Sequence, residues 1–269
     1  MAQENNTQKG YIEVSLDRNP ANSTFCEHTH TFNEIYFLIS GKVNYFIKDE
    51  FFTANSGDVI MVKRNYIHTT SYPAGAASER ILILYDDAFL GGEYKELTNY
   101  NAQKKLFSLS HERQSEIEKV VRKLYLEYKN KEENYLNMCK NLLGQLLILL
   151  KREDKPDTEK ELSGTPLVIQ NAAKYITANF GDDLTLQSLS QMFAMSPSYF
   201  SKSFKQFTGL GVNEYITAVR LTNAKKLLKT TTLSITEISL KCGFNDSNYF
   251  ATVFKKMNGV SPKRYSKEQ

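Results

Sequence analysis

The chain has 269 residues, which is enough for two domains of ordinary size, and its 41% hydrophobic and 24% charged residues exclude a disordered protein. Its formal net charge of +4 is unevenly distributed. Residues 165–269 contain 13 Lys and Arg against 6 Asp and Glu, whereas residues 1–164 contain 21 against 24. The positive C-terminal part predicts a polyanionic partner. Neither a signal peptide nor a membrane span is visible, so we expect a cytoplasmic protein with no membrane partner.

Short runs of β-branched and aromatic residues dominate the chain up to about residue 86. They read YIEVSL, NEIYFLIS, KVNYFIKD, DVIMVK and RILILY, with Gly, Asn, Asp and Pro between them. Several short strands at this spacing predict an antiparallel sandwich or barrel. We place this domain at residues 8–92.

From about residue 109 the apolar residues recur with the period of a helix, and two helices fit, with a turn near KNKEEN. The second helix is too apolar for a surface helix, which predicts burial against the barrel or a second subunit. We assign residues 109–151 to dimerisation, with Leu143 and Leu147 in the contact. The charged segment 152–164, which contains two prolines and a glycine, is the predicted linker.

The C-terminal part, residues 165–269, contains an internal repeat. Shifted by 49 and then 50 residues, it matches itself at many positions, including Ala194 with Gly243, Phe200 with Phe250 and Gly209 with Gly259. Each copy reads as helix, tight turn and helix, the pattern of a helix-turn-helix unit. An uninterrupted helix over residues 212–230 separates the copies and is expected to fix their spacing.

The second helix of each copy has one apolar and one polar face. We expect Phe200, Phe204 and Phe207 to be buried in the first copy, and Phe250, Val253, Phe254 and Met257 in the second. Small polar residues and lysines remain on the outer faces, which suits a DNA groove. The predicted DNA-binding residues are Ser198, Ser201, Lys202, Lys205, Ser247, Asn248, Thr252, Lys255 and Lys256.

Residues 234–268, SITEISLKCGFNDSNYFATVFKKMNGVSPKRYSKE, resemble the signature segment of AraC-family transcription regulators. LTLQSLSQMFAMSPSYFSKSFKQFTG resembles the first of the two helix-turn-helix units of that family. The resemblance implies a double DNA reader, with Ser198, Ser201 and Lys202 in one major groove and Ser247, Asn248 and Thr252 in the next. Small residues such as Ser201 and Ala251 stand where bulkier readers are common, which favours phosphate contacts and DNA shape over many base contacts.

The segment CEHTHTFNEIYFLISG, with Gly57 and His68 further on, resembles the two motifs of the cupin barrel, a jelly roll. The second motif departs from the family pattern, with Lys63 and Asn65 at the usual proline and glycine positions. Cupins that bind metal would use His28, His30, Glu34 and His68, a donor set suited to iron, manganese, zinc or nickel. Regulators with this architecture instead hold a small organic effector in the barrel.

The sequence therefore predicts an α+β multidomain regulator: a cupin-type sensor, a helical dimerisation segment and an all-α double helix-turn-helix domain. We favour an effector pocket over a metal site and expect no catalysis, because fusion to a DNA reader makes an enzyme redundant. The expected partners are double-stranded DNA, a small effector with sugars as the first candidate, a second copy of the chain, and RNA polymerase. The alternative is a metal-binding cupin isomerase or dioxygenase fused to a DNA-binding module. The predicted pocket residues are His28, His30, Glu34, Tyr36, Tyr45, Asn65, His68 and Arg80.

Overall fold

The computed structural model describes residues 10–19, 26–28, 31–72, 77–98, 104–154 and 163–267. Contacts group the chain into two compact units, Met1–Ile47 with Phe52–Glu161 and Lys48–Phe51 with Leu162–Gln269. The first unit is rich in strands and the second is helical. The predicted combination of a β-barrel followed by an all-α domain is therefore confirmed.

The strands of the first unit form two antiparallel sheets that face each other. In chain order the strands are β1 (Ile12–Asn19), β2 (Cys26–His28), β3 (Asn33–Ser40), β4 (Lys42–Ile47), β5 (Glu50–Asn55), β6 (Val59–Val62), β7 (His68–Ser71), β8 (Ser78–Tyr85) and β9 (Leu106–Phe107). One sheet has the order β1-β8-β3-β6-β9 and the other β2-β7-β4-β5. Because β9 extends the first sheet, the barrel continues beyond residue 92, where the sequence placed its end.

Strand β3 separates two cores because successive side chains point to opposite faces. Tyr36 and Leu38 face the space between the sheets, where they pack with residues such as Tyr45 of β4. Ile35 and Phe37 lie on the other face, in a cluster that includes residues of two long helices. The barrel interior and the helix-covered outer face are thus built by alternate residues of one strand.

Helical segments follow the barrel strands and cover this outer face. They are α1 (Asp87–Leu90), a 3-10 turn (Gly92–Tyr94), α2 (Lys95–Thr98), α3 (His111–Asn130) and α4 (Tyr135–Glu153). The two predicted long helices are confirmed, although α4 continues into the predicted linker.

The prediction that Leu143 and Leu147 form the intersubunit contact is wrong. Both side chains are fully buried in one chain, in the cluster that joins α3 and α4 to the outer face of the barrel sheet. The wide apolar face of α4 is therefore explained by packing within the subunit.

The second unit consists of helices whose ends carry the predicted capping residues. The helices are α5 (Gly164–Ala178), α6 (Leu186–Met192), α7 (Pro197–Thr208), α8 (Val212–Thr230), α9 (Ile235–Lys241), α10 (Ser247–Asn258) and α11 (Pro262–Lys267). Ser196 and Asp246 cap α7 and α10, and Ser234 with Glu237 forms a capping box on α9. No helix within the described residues is long and apolar enough to cross a bilayer.

Candidate nucleic-acid interface and effector pocket

Each copy of the repeat contains the same tight turn between its two helices. Ala194 and Gly243 occupy equivalent positions and both have left-handed backbones, with φ of 52° and 80°. The N–H of the next residue bonds back to an equivalent carbonyl in each copy, Met195 to Ser190 at 2.9 Å and Phe244 to Ser239 at 3.0 Å. The duplicated helix-turn-helix geometry predicted from the repeat is confirmed.

The outer faces of α7 and α10 expose most of the predicted DNA-binding residues. Phe200, Phe204, Phe250 and Phe254 are fully buried beneath them. The side chains exposed on the outer faces are Ser198, Lys202, Lys205, Asn248, Thr252, Lys255 and Lys256, whereas Ser201 and Ser247 are half-buried. Both helices therefore offer polar and cationic groups to a groove.

We call α7 and α10, the second helices of the two helix-turn-helix units, the reading helices. Some of their details differ from the sequence-based expectation. Met257 was predicted to be buried but is 49% exposed. The hydroxyl of Thr252 donates to the carbonyl of Asn248 at 2.9 Å, so its proton is used within the helix. Tyr199 and Tyr249, at equivalent positions in the first turns of α7 and α10, are 53% and 55% exposed. They are candidate DNA contacts that the apolar pattern did not separate from their buried phenylalanine neighbours.

Asn248 and Lys255 are expected to contribute differently to DNA binding. The amide of Asn248 can pair bidentately with adenine, so Asn248→Ala should cost about 1–3 kcal/mol at one base pair and relax preference there. The ammonium of Lys255 suits a phosphate oxygen, and phosphates are the same at every base pair, so Lys255→Ala should weaken binding to all sequences alike. Affinity profiles over single-base operator variants measure both effects, and identical profiles for the two variants would contradict this division.

Inside the barrel, Glu34 and His68 form a buried contact. Their side chains are 5% and 2% exposed, and Oε2 of Glu34 lies 3.5 Å from Nε2 of His68. Nδ1 of His68 is 3.1 Å from the carbonyl oxygen of Tyr66, which can only accept, so Nδ1 carries a hydrogen. The Glu34 carboxyl group and the His68 ring therefore add hydrogen-bonding atoms to the barrel interior.

Tyr36, Tyr45 and Arg80 lie in the same interior. The two tyrosine rings meet edge to face with centroids 5.3 Å apart, and the Arg80 guanidinium lies 4.9 Å from the centre of the Tyr36 ring. Burial, followed by the nearby charge of Glu34, raises the pKa of Tyr45 well above its ordinary value, so its phenol stays protonated. The Tyr45 hydroxyl is buried and has no hydrogen-bond partner among the described residues.

Arg80 is held by partners that were not predicted. Its Nε lies 3.1 Å from Oδ2 of Asp17, directly opposite on β1, and its Nη1 donates to the Tyr72 hydroxyl at 3.0 Å. Phe52 stacks on Tyr45 with centroids 5.9 Å apart. The composition of this polar and aromatic cluster therefore depends on which strands are neighbours.

The remaining predicted pocket residues are placed less completely. The backbone of His28 in β2 pairs directly with that of His68 in β7, whereas His30 lies outside the described residues. Asn65 lies in the turn between β6 and β7 with a left-handed backbone, φ 63°, a conformation that asparagine tolerates. Among the described side chains no group of three or more potential metal ligands is present. Of the four residues of the metal-binding alternative, Glu34 and His68 are the two whose side chains the structure describes.

A barrel with a buried polar cluster, followed by two helix-turn-helix units, defines a DNA-binding transcription regulator with its own ligand-binding domain. The model of the AraC-like ligand binding domain matches residues 10–149, and a helix-turn-helix domain model matches residues 189–268. The chain belongs to the AraC family of transcription regulators.

Similar proteins over nearly the whole chain are transcription regulators. The HTH-type transcriptional activator RhaR of Mannheimia succiniciproducens is 23% identical, covering 94% of this chain and 91% of its own. The activator RhaS of Enterobacter sp. is 27% identical, with 94% and 92% covered. A solved structure, the C-terminal domain of AraT from Geobacillus stearothermophilus, is 36% identical over 40% of this chain and 89% of that one, with a TM-score of 0.38.

Proposed function

We propose that this regulator binds an uncharged polyhydroxylated molecule, a sugar or related polyol, inside the barrel and that binding changes how a dimer engages DNA. The observation that supports this most is the buried cluster of hydrogen-bonding groups between the sheets. A barrel that only carried the DNA-binding unit would be better stabilised by an apolar interior, because burying polar groups costs free energy. In this role the protein would catalyse no reaction, and it would act in the cytoplasm, where its DNA is.

The chemistry of the cluster favours a neutral ligand over an ion. The positive charge of Arg80 is already offset by Asp17, and the Glu34–His68 contact places a carboxyl group and an imidazole in the interior. The Tyr45 hydroxyl adds a buried group that has no hydrogen-bond partner in the described part of the chain. Hydroxyl groups of a polyol can donate and accept at each of these positions, while aromatic faces pack against its C–H surfaces.

Effector control would operate as a shift between populations of dimer conformations. A ligand changes DNA affinity only if it binds one conformation more tightly than another, and the coupling is then reciprocal. DNA carrying the operator should therefore alter effector affinity by the same factor as effector alters operator affinity. RNA polymerase would be contacted by the DNA-bound form.

The dimer contact is proposed on the solvent side of α4. Met138, Asn141, Gln145 and Ile148 follow one another on this side at helical spacing and are all exposed, with Met138 and Ile148 at 42% and 38%. This face has two apolar side chains and two uncharged amides, which suits an interface better than a purely solvating surface. It replaces the fully buried leucines predicted from the sequence.

DNA binding by the second unit is the first expected result. A fragment of residues 162–269 should bind its own promoter region, since both reading helices and the positive charge are there, and affinity should fall steeply with salt as counterions are released. Mobility shifts over a salt series measure this. A fragment that does not bind, while the full chain does, would contradict the assignment.

Effector binding is tested on the full chain with a panel of sugars and polyols. The thermal midpoint should rise with one of them, and the footprint on the promoter should change in its presence. Elemental analysis of the purified protein provides the other arm. A stoichiometric metal whose chelation abolishes DNA regulation would favour the metal-binding alternative over the effector pocket.

A further inference from the structure

The turn between α5 and α6, at the edge of the first helix-turn-helix unit, contacts the second helix-turn-helix unit. Phe180 packs against the core of that second helix-turn-helix unit, a cluster that includes Ile238, Phe244 and Phe250. This contact was not expected, because the sequence assigned the spacing of the two helix-turn-helix units to α8 alone.

Two glycines allow the backbones of the two units to approach closely. A Cβ atom on Gly181 would lie 3.2 Å from the carbonyl oxygen of Lys241, and one on Gly243 would lie 2.8 Å from the carbonyl oxygen of Phe180. Gly243 also has φ of 80°, which an L side chain rarely adopts. The turn that precedes α10 is therefore packed directly on the first helix-turn-helix unit.

Arg220, from the middle of α8, joins the same contact from the side. Its Nε donates to the carbonyl of Phe180 and its Nη2 to that of Asp182, both at 2.8 Å. Its guanidinium carbon is 5.7 Å from the centre of the Phe244 ring in the second unit. The Arg220 guanidinium thus binds two carbonyls of the first helix-turn-helix unit and contacts an aromatic ring of the second.

We propose that Arg220 is a positioning residue that fixes the angle between the two helix-turn-helix units and so determines which spacing of two DNA half-sites the domain accepts. Helix α8 has 19 residues and is about 28 Å long, which sets the distance between the units. At this fixed distance, a rotation of one helix-turn-helix unit about α8 would still move its reading helix out of the DNA major groove. The Arg220 contact opposes that rotation. This inference rests on the two-groove reading, in which α7 and α10 of one chain lie in successive major grooves, as the family resemblance implies.

The test is a selection of binding sites by the full-length protein from a randomised duplex library. For each subunit, wild type should enrich two motifs at one spacing, since each added base pair shifts the second site by about 3.4 Å and about 34°. Arg220→Ala and the charge-preserving Arg220→Lys should enrich the same two motifs with a broadened distribution of spacings. Lys226→Ala removes an exposed charge from the same helix and serves as the matched control, with unchanged spacing.

The outcomes separate this inference from the two-groove reading. Spacing selectivity equal to wild type in either Arg220 variant would overturn the positioning role, even if total affinity falls. Loss of one motif in a variant whose circular dichroism is native would also overturn it, because Arg220 would then be supporting the second unit itself. A single motif for wild type would contradict the two-groove reading, and the inference would fall with it.

Discussion

Leu143→Glu is expected to unfold the sensor unit rather than produce a monomer. Leu143 is fully buried in the cluster between α4 and the barrel, so the substitution removes an apolar contact worth about 2–5 kcal/mol and adds the cost of desolvating a carboxylate. That loss is comparable with the roughly 5–15 kcal/mol by which whole domains are stable. Circular dichroism and thermal unfolding of the full chain measure the effect.

Ile148→Glu, five residues further along α4 and on its solvent side, should behave in the opposite manner. Ile148 is 38% exposed, so the folded subunit tolerates a charge there, while two copies facing each other in a dimer do not. Sedimentation should show a folded monomer with weaker operator binding, because the two reading domains no longer act together. Met192→Glu, at a 52% exposed site in the second unit, is the matched control and should change neither stability nor oligomeric state. A dimeric Ile148→Glu would place the interface elsewhere.

Leu143 and Ile148 show that the sequence predicted a buried face on α4 but not which part of the molecule covers it. The repeating leucines of α4 required that face to be covered, and the same pattern results from an intrasubunit core or a subunit interface. The structure assigns the widest part of the face to the barrel because alternate residues of β3, including Ile35 and Phe37, form its other side. No feature of α4 alone encodes that partner.

The helix-turn-helix units were predictable in detail because their signals are local. Ser196, Asp246 and the pair Ser234 and Glu237 each act within one turn of the helix that they cap, and Gly209 follows α7 directly. The repeat also supplied two independent copies of every signal. The Arg220 contact escaped because it joins α8 to carbonyls about 40 residues earlier in the chain.

The barrel was only partly predictable, because several of its strands are too short for a two-residue period to be visible. Strands β2, β7 and β9 contain three, four and two residues. In the structure Glu34 and Tyr36 share one face of β3, as residues two apart on a strand do. The partnership of Arg80 with Asp17 depends on the register of β1 with β8, which no local pattern shows.

Arg80→Met should abolish most of the effector response. The substitution keeps an unbranched apolar stem but removes the guanidinium that bonds Asp17 and Tyr72 and lies over the Tyr36 ring. A hydrogen bond from a charged group contributes about 1.5–3 kcal/mol, so loss of such bonds to a polyol, or of the geometry that the guanidinium imposes, should reduce affinity by about 100-fold. Basal operator binding should persist, since the reading helices are untouched. Calorimetric titration with the sugar that stabilises wild type measures the change, and an affinity equal to wild type would remove Arg80 from the pocket.

Tyr45→Phe completes this test because it separates pocket chemistry from stability. The Tyr45 hydroxyl is buried without a partner among the described residues, so its removal should raise the free energy of unfolding by about 1–3 kcal/mol while effector affinity falls. Tyr85→Phe is the matched control: Tyr85 is also buried, but in the cluster that faces the helices, so effector affinity should not change. A residue that served only the core could not lose ligand affinity as the protein became more stable. If Tyr45→Phe is instead destabilised with unchanged affinity, its hydroxyl belongs to the core and the pocket must lie elsewhere in the barrel.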